Sequence, residues 1–198
     1  ANISHELRTP LNAVFGLAQL GCRQSRPDET RHTFGQILAT GRHLLALIND
    51  VLDYSRIEAG HLQIDTKVVD LVGLVDDVVG ITSTTAQAKG LRLDVRLELP
   101  RPCWVQCDPQ RVRQVLLNLL GNAVKFTDHG AVRLTVSAGA FESGQTLRTF
   151  RFEVEDSGIG IAPESLPRIF EAFHQVDNSF GRRHGGTGLG LTISREIS

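Results

Sequence analysis

The chain contains no apolar run near the ~20 residues that a membrane-spanning helix needs, and its start carries no signal-peptide pattern. This segment is therefore expected to lie outside the bilayer. It also lacks an excess of either charge: 21 basic against 22 acidic side chains leave a net charge of −1. Such a balance offers no footprint for nucleic acid or an anionic membrane surface. Cysteine is scarce, with Cys22, Cys103 and Cys107 in no CxxC spacing. An odd, scattered set argues against a disulfide framework or a cysteine zinc site, and for buried thiols in a reducing cytoplasm. Seven histidines show no HExxH spacing, so a histidine metal site is not expected either. The chain has no GxxxxGK[ST] run, no internal repeat and no low-complexity tract.

What is present suffices for a core: 41% of the 198 residues are hydrophobic, in a length that suits one large domain or two modest ones. From residue 2 to about 24, Ile3, Leu7, Leu11, Val14 and Ala18 recur at helical spacing. From about residue 30 to 59 a second stripe runs through Phe34, Leu38, Leu45, Ile48 and Leu52, flanked by Ile37, Leu44 and Val51. Steps of three, four and seven are those of a bundle seam. Between the stripes, Ser25-Arg26-Pro27-Asp28-Glu29 is a short polar break, which makes the helices antiparallel neighbours. A lone hairpin cannot hide both stripes, so a homodimeric four-helix bundle is expected.

After Gly60 the pattern changes. Residues 62–65 and 91–99 alternate as strands do, and residues 70–89 between them read as a helix ended by Gly90. Asp108-Pro109 predicts another helix start, an aspartate cap followed by proline, with the helix running to about Phe126. Residues 131–138 and 147–156 read as strands about a polar turn at Glu142-Ser143-Gly144. A short helix over 164–170 and another from about Thr187 complete the chain. The expected class is α+β: a helical hairpin over residues 1–60, then an α/β sandwich over 61–198.

On the first helix, about 100° per residue puts Ile3, Leu7, Leu11 and Val14 on one side. His5 falls almost opposite, on the polar face with Thr9 and Asn12. Its imidazole is expected to face solvent, where another domain can reach it. Pro10 has no N–H for the carbonyl of Glu6, which predicts a bend just beyond His5. Glu6 lies beside the imidazole and can orient it or accept its proton. By itself an exposed helical histidine is usually an ordinary surface residue, and a proline often only a kink. The whole run Ser4-His5-Glu6-Leu7-Arg8-Thr9-Pro10-Leu11, however, resembles the H-box of histidine kinases, in which the histidine accepts a phosphoryl group.

Three further clusters bear on chemistry. Asn118, Asn122 and Lys125 are four and three residues apart and share one helix edge. Two amides and a cation there suit a hydrated Mg²⁺ and a phosphate chain, although a solvated helix edge has the same composition. Asp156-Ser157-Gly158-Ile159-Gly160-Ile161 follows a strand directly. A carboxylate at a strand end can accept from an exocyclic amine while the glycines admit a ring, but DxGxG is also a common turn. His184-Gly185-Gly186-Thr187-Gly188-Leu189-Gly190-Leu191 opens the last helix, as backbone N–H groups facing a phosphate would. Between these clusters, Ile169-Phe170-Glu171-Ala172-Phe173 and the basic Arg182 and Arg183 read as a lid with aromatic anchors, or as core aromatics beside a polar loop.

Together these segments resemble the N-box, G1 box, F-box and G2 box of histidine kinases, in that order after an H-box. The likeness covers nearly the whole chain, and the run from Ile48 to Gly60 is similar to the hybrid branch. The resemblance implies that His5 is the phospho-acceptor, Glu6 assists proton removal, and Thr9 serves a phosphatase activity. It implies Mg²⁺ on Asn122 with Asn118 nearby, and Lys125 near phosphate. Asp156 would hold the adenine amine of ATP, in a pocket shaped by Gly158 and Gly160. Phe173, Arg182 and Arg183 belong to the implied lid, and Gly186, Thr187, Gly188, Leu189 and Gly190 to the phosphate wrap. The implied partners are a second copy of the chain and a response-regulator receiver domain. The implied setting is the cytoplasmic side of an inner-membrane bacterial sensor. Against the family's pattern the chain starts close to the histidine and stops after a helix, so it reads as an excised core lacking its C-terminal strands. Two rival readings share some of these residues: an ATPase of the wider gyrase and chaperone superfamily, and a dimeric scaffold without turnover.

Overall fold

Two long helices form where apolar residues recur every three or four positions: α1 over Asn2–Gly21 and α2 over Pro27–Glu58. They belong to a computed structural model that describes residues 2–21, 27–139, 148–175 and 187–198. α2 starts before the stripe does, so Pro27, Asp28 and Glu29 are helix rather than break. Proline fits there because a first-turn N–H has no intrahelical partner to lose. Near the loop end, a Cβ on Gly21 would meet Cγ2 of the buried Thr33 at 3.4 Å, which makes the pair an antiparallel hairpin. Pro10 and Leu47 are also buried. Phe34, Leu38, Leu45, Ile48 and Leu52, the stripe read along α2, all remain exposed.

The chain divides into two compact units. One joins Ala1–Leu62 with Arg168–Ile193, and the other joins Gln63–Pro167 with Ser194–Ser198.

The second unit holds β1 (Lys67–Asp70), α3 (Leu71–Ala88), β2 (Arg92–Glu98), β3 (Trp104–Cys107), α4 (Pro109–Phe126), β4 (Ala131–Ala138) and β5 (Phe150–Asp156). β2 lies parallel to β4, and β4 antiparallel to β5, in a three-stranded sheet; β1 and β3 form a separate antiparallel ribbon. Strict alternation buries Val132, Leu134 and Val136 on one face of β4. Against that face lie Leu74, Val75 and Val78 of α3 and Leu116, Leu120 and Val124 of α4. The unit is thus two helices on one face of a mixed sheet, the layered α/β arrangement expected. The first strand falls at Lys67–Asp70 rather than at residues 62–65, and β3 has no counterpart in the sequence reading. Each is four residues long, too short to show a period, and each exists by pairing with the other.

The cap predicted at Asp108 forms, and Asp70 supplies a second. The Asp108 carboxylate accepts from the N–H groups of Gln110 and Arg111 and also from that of Asp65, and Pro109 opens α4. Asp70 accepts from Val72 N–H at the start of α3 and from Cys103 N–H at 3.0 Å. Cys103 is buried and Cys107 half-buried, both as free thiols, while Cys22 lies outside the described residues. Burial, then the neighbouring Asp108 charge, raises the Cys107 pKa. The polar turn at residues 142–144 also lies outside the described residues. A 3₁₀ turn at Leu166–Arg168 replaces the short helix expected over 164–170, because Pro167 inside that span has no N–H to give the carbonyl of residue 163. The final helix, α5, spans Gly190–Ile197. It starts later than Thr187 because Gly188 has φ +67°, a left-handed conformation no α-helix admits.

Candidate nucleotide and phosphoacceptor site

The helix α4 positions three of the expected residues by its period alone. Asn118, Asn122 and Lys125 lie on its half-buried edge, away from the core-facing Leu116, Leu120 and Val124. The Asn118 amide donates to Ser194 Oγ at 2.8 Å, and the Asn122 amide donates to Asn118 Oδ1 at 3.3 Å. In this relay the Asn122 nitrogen is the donor and Asn118 Oδ1 the acceptor. Lys125 Nζ lies 4.7 Å from the ring centroid of Phe126. Burial lowers its pKa from the usual 10.5.

The loop after β5 is held against the end of α4. Ile159 N–H donates to the Phe126 carbonyl at 3.3 Å. A Cβ on Gly158 would collide with that carbonyl oxygen and come within 2.8 Å of Asp156 Oδ1, so only glycine fits. Gly160 has φ +68°. Asp156 Oδ1 accepts from Gly158 N–H at 2.9 Å, which fixes an exposed carboxylate at the end of β5. Ser157 pins the loop from the other side: its Oγ accepts from Ala131 N–H at 3.0 Å and donates to the His129 carbonyl at 3.2 Å.

In the first unit the structure assembles a different group. Phe173, at φ +63°, donates its N–H to the Gly188 carbonyl at 3.1 Å and sets its ring edge-on to Tyr54, with centroids 5.5 Å apart. Thr187 Oγ1 accepts from Leu189 N–H and donates to Asp50 Oδ2 at 3.1 Å. A Cβ on Gly188 would meet the Phe173 carbonyl carbon and the His174 oxygen at 2.9 Å each. Leu189 is fully buried and Gly190 begins α5. The F-box phenylalanine and the second glycine cluster are therefore one contiguous structure.

His5, Glu6 and Thr9 lie in the first half of α1; their side chains are outside the described residues. Arg182, Arg183 and Gly186 are outside them altogether. Two residues on which the site leans had no place in the sequence reading. Ser157 reads in the sequence only as the x of a DxGxG turn, although a hydroxyl beside glycines is a loop-pinning residue. Lys89 reads in the sequence only as the end of a helix, whereas its Nζ donates to the carbonyls of Val124, Lys125 and Thr127 at the end of α4.

Comparison with known proteins agrees with this layout. Residues 1–60 match the His Kinase A (phospho-acceptor) domain, and residues 107–198 match the histidine kinase-, DNA gyrase B- and HSP90-like ATPase. The signal transduction histidine-protein kinase BarA of Escherichia coli is 40% identical over 197 residues, covering 100% of this chain and 21% of that protein. The sensory/regulatory protein RpfC of Xanthomonas campestris is 41% identical, over 100% of the chain and 27% of its own length. The autoinducer 2 sensor kinase/phosphatase LuxQ of Vibrio cholerae is 41% identical, over 100% and 23%. The chain thus spans about a fifth to a quarter of these relatives. Among solved structures, full-length ShkA in complex with AMPPNP is 38% identical with TM-score 0.68, covering 100% of this chain and 39% of that one. The histidine kinase AdeS of Acinetobacter baumannii is 26% identical with TM-score 0.68, covering 98% of this chain and 85% of that one. With a phospho-acceptor domain at one end and a kinase-type ATPase domain at the other, the chain belongs to the histidine kinases.

Proposed function

We propose that this core takes the γ-phosphoryl group of ATP onto His5 and hands it to an aspartate of a response-regulator receiver domain. The observation that carries the reading is the coupling of two motifs through one carbonyl. Phe126 ends the Asn118–Asn122–Lys125 helix and holds the loop that carries Asp156 and Gly158. That arrangement joins a carboxylate and an amide–ammonium edge on one scaffold, which supports the reading of an adenine amine at the first and phosphates at the second.

In this reading the neutral imidazole of His5 attacks the γ-phosphorus in line with the departing ADP. Its proton passes to Glu6, the P–N bond forms and the bond to the β-phosphate oxygen breaks. Positioning and charge stabilisation do most of the work, as phosphoryl transfer generally requires. Asp156 orients the base, and Lys125, partly desolvated, meets the phosphate chain as a donor. The resemblance to histidine kinases assigns Gly186, Thr187, Gly188, Leu189 and Gly190 to a phosphate wrap and Phe173, Arg182 and Arg183 to a lid; Arg182, Arg183 and Gly186 lie outside the described residues. The residues fit Mg²⁺: the relay engages the Asn122 nitrogen, and the Asn122 carbonyl oxygen is of the type a hard cation that keeps most of its waters accepts. Bound there, Mg²⁺ would neutralise charge on the phosphates.

The exposed stripe along α2 supports homodimerisation through the hairpin. A further relative, named hybrid signal transduction histidine kinase B of Dictyostelium discoideum and 40% identical over 195 residues, supports a receiver-domain partner, within the same protein or separate. Relatives named as sensors support a place on the cytoplasmic side of a membrane receptor; none of the described helices is itself long and apolar enough to cross a membrane. The name kinase/phosphatase on one relative supports a second activity, removal of phosphate from the partner, for which Thr9 is the residue.

The test is incubation of the intact protein with γ-labelled ATP beside His5→Gln and Asn122→Ala variants. His5→Gln should lose all label yet bind ATP as before, and Asn122→Ala should lose label through weakened Mg²⁺-dependent binding. Undiminished labelling of His5→Gln would sink the assignment, and hydrolysis without any label would transfer the chain to the ATPase reading.

A further inference from the structure

The last carbonyls of α4 have no intrahelical N–H to accept from. The Phe126 carbonyl is taken by Ile159 N–H. Those of Val124 and Lys125 are taken by a single side chain, Lys89, whose Nζ donates to Val124 O at 2.9 Å, Lys125 O at 3.0 Å and Thr127 O at 3.1 Å. An ammonium has three N–H donors, and all three are engaged. Asp128 lies 3.9 Å away, beyond hydrogen-bond reach, and the Lys89 side chain is 31% exposed. The positive charge sits at the negative end of the α4 dipole, where a cation is most favoured.

Lys89 reaches this place because its backbone is fixed. It caps α3, donating its N–H to Thr85 and Ala86 carbonyls, and Gly90 follows at φ +70°, with Leu91 N–H returning to the Ala86 carbonyl. The end of one helix thus delivers a cation to the end of another. The three clamped carbonyls flank Phe126, whose own carbonyl carries the Asp156–Gly160 loop.

The geometry points to Lys89 as a positioning residue of the nucleotide site. Its ammonium locks the C-terminus of α4 so that the Phe126 carbonyl, and with it the loop bearing Asp156 and Gly158, stays at the distance that admits a base. It does not bind phosphate, because its donors are spent on carbonyls. This inference rests on the nucleotide reading above, and its test separates the two.

Lys89→Met keeps the length and apolar stem and removes the donors. Lys89→Arg keeps charge and several donors. In the intact protein two quantities are measured: affinity for AMPPNP with Mg²⁺ by calorimetry, and exchange of individual backbone amides by NMR. Lys89→Met is expected to weaken AMPPNP binding about tenfold and to speed exchange of Ile159 N–H at least tenfold, with Leu134 and Val136 of β4 as protected as before. Lys89→Arg is expected to recover most of both. Unchanged Ile159 exchange and unchanged affinity in Lys89→Met overturn the proposal. So does loss of β4 protection in both variants, since the lysine would then support the unit as a whole. Accelerated Ile159 exchange in a protein that binds no AMPPNP even unmutated would uphold the clamp and discard the nucleotide reading instead.

Discussion

Lys125 is buried enough for desolvation to lower its pKa below 10.5, and the consequence can be worked out for both stability and binding. Below the lowered value both folded and unfolded chains carry the proton, and the folded state bears the desolvation cost. Between that value and 10.5 only the unfolded state is protonated, so this site's contribution to stability rises with pH across the window. A phosphate beside Lys125 favours the ammonium and reverses that preference. ATP affinity should therefore fall as pH rises through the lowered value, by at most about tenfold per pH unit for one proton. A fluorescent-nucleotide titration in alkaline buffers checks this, with Lys125→Arg expected to flatten the curve; a flat wild-type curve would remove Lys125 from the phosphate. At Asp108 the direction is opposite. Burial resists ionisation of its carboxyl, but the amides of Asp65, Arg111 and Gln110 and the Arg111 charge outweigh it, and the pKa is lowered from 3.8. The resulting stability is present above 3.8 and lost as pH falls through the lowered value. Asp108→Ala should cost about 1–2 kcal/mol in urea unfolding at neutral pH, the worth of a helix cap, and flatten the acid limb. The residues legible in the sequence were those whose type is demanded by local chemistry, such as the cap at Asp108 and the glycine at 158. Lys89 and Ser157 were not legible, because their partners lie 35 and 26 residues away along the chain.

At the scale of elements, long periodic segments could be read and short paired ones could not. α2, α3, α4 and β4 follow from their own apolar period and caps. β1 and β3 depend on each other across residues 67–107, which no local pattern records. The loop between β5 and the 3₁₀ turn shows the same coupling at close range. Gly158→Ala should displace it from the Phe126 carbonyl, costing about 1–3 kcal/mol of stability and lowering AMPPNP affinity, checked by thermal unfolding and calorimetry on the same sample. Along α2, Leu38 and Leu45 are each 59% exposed, although helical spacing puts them in a bundle seam. Replacing both with glutamate should convert a dimer to a monomer in sedimentation equilibrium while leaving nucleotide affinity intact. A wild-type protein that sediments as a monomer would remove the bundle.

At the scale of the molecule, five short motifs in a fixed order made the family readable. The match to a phospho-acceptor domain over residues 1–60 and to an ATPase domain over 107–198 agrees with that order. Within the first compact unit, residues 168–193 meet the hairpin where Phe173 packs on Tyr54 and Thr187 donates to Asp50. Contacts of that kind join positions more than a hundred residues apart, where periodicity carries no information. The central claim is that the phosphoryl group of ATP comes to rest on one imidazole. The measurement that tests it most directly is to react the intact protein with γ-labelled ATP, digest it at alkaline pH and locate the label by tandem mass spectrometry. An acid-labile, alkali-stable phosphate on His5 is the predicted result. Phosphate on another residue, or ADP formation with no modified peptide, would contradict the account.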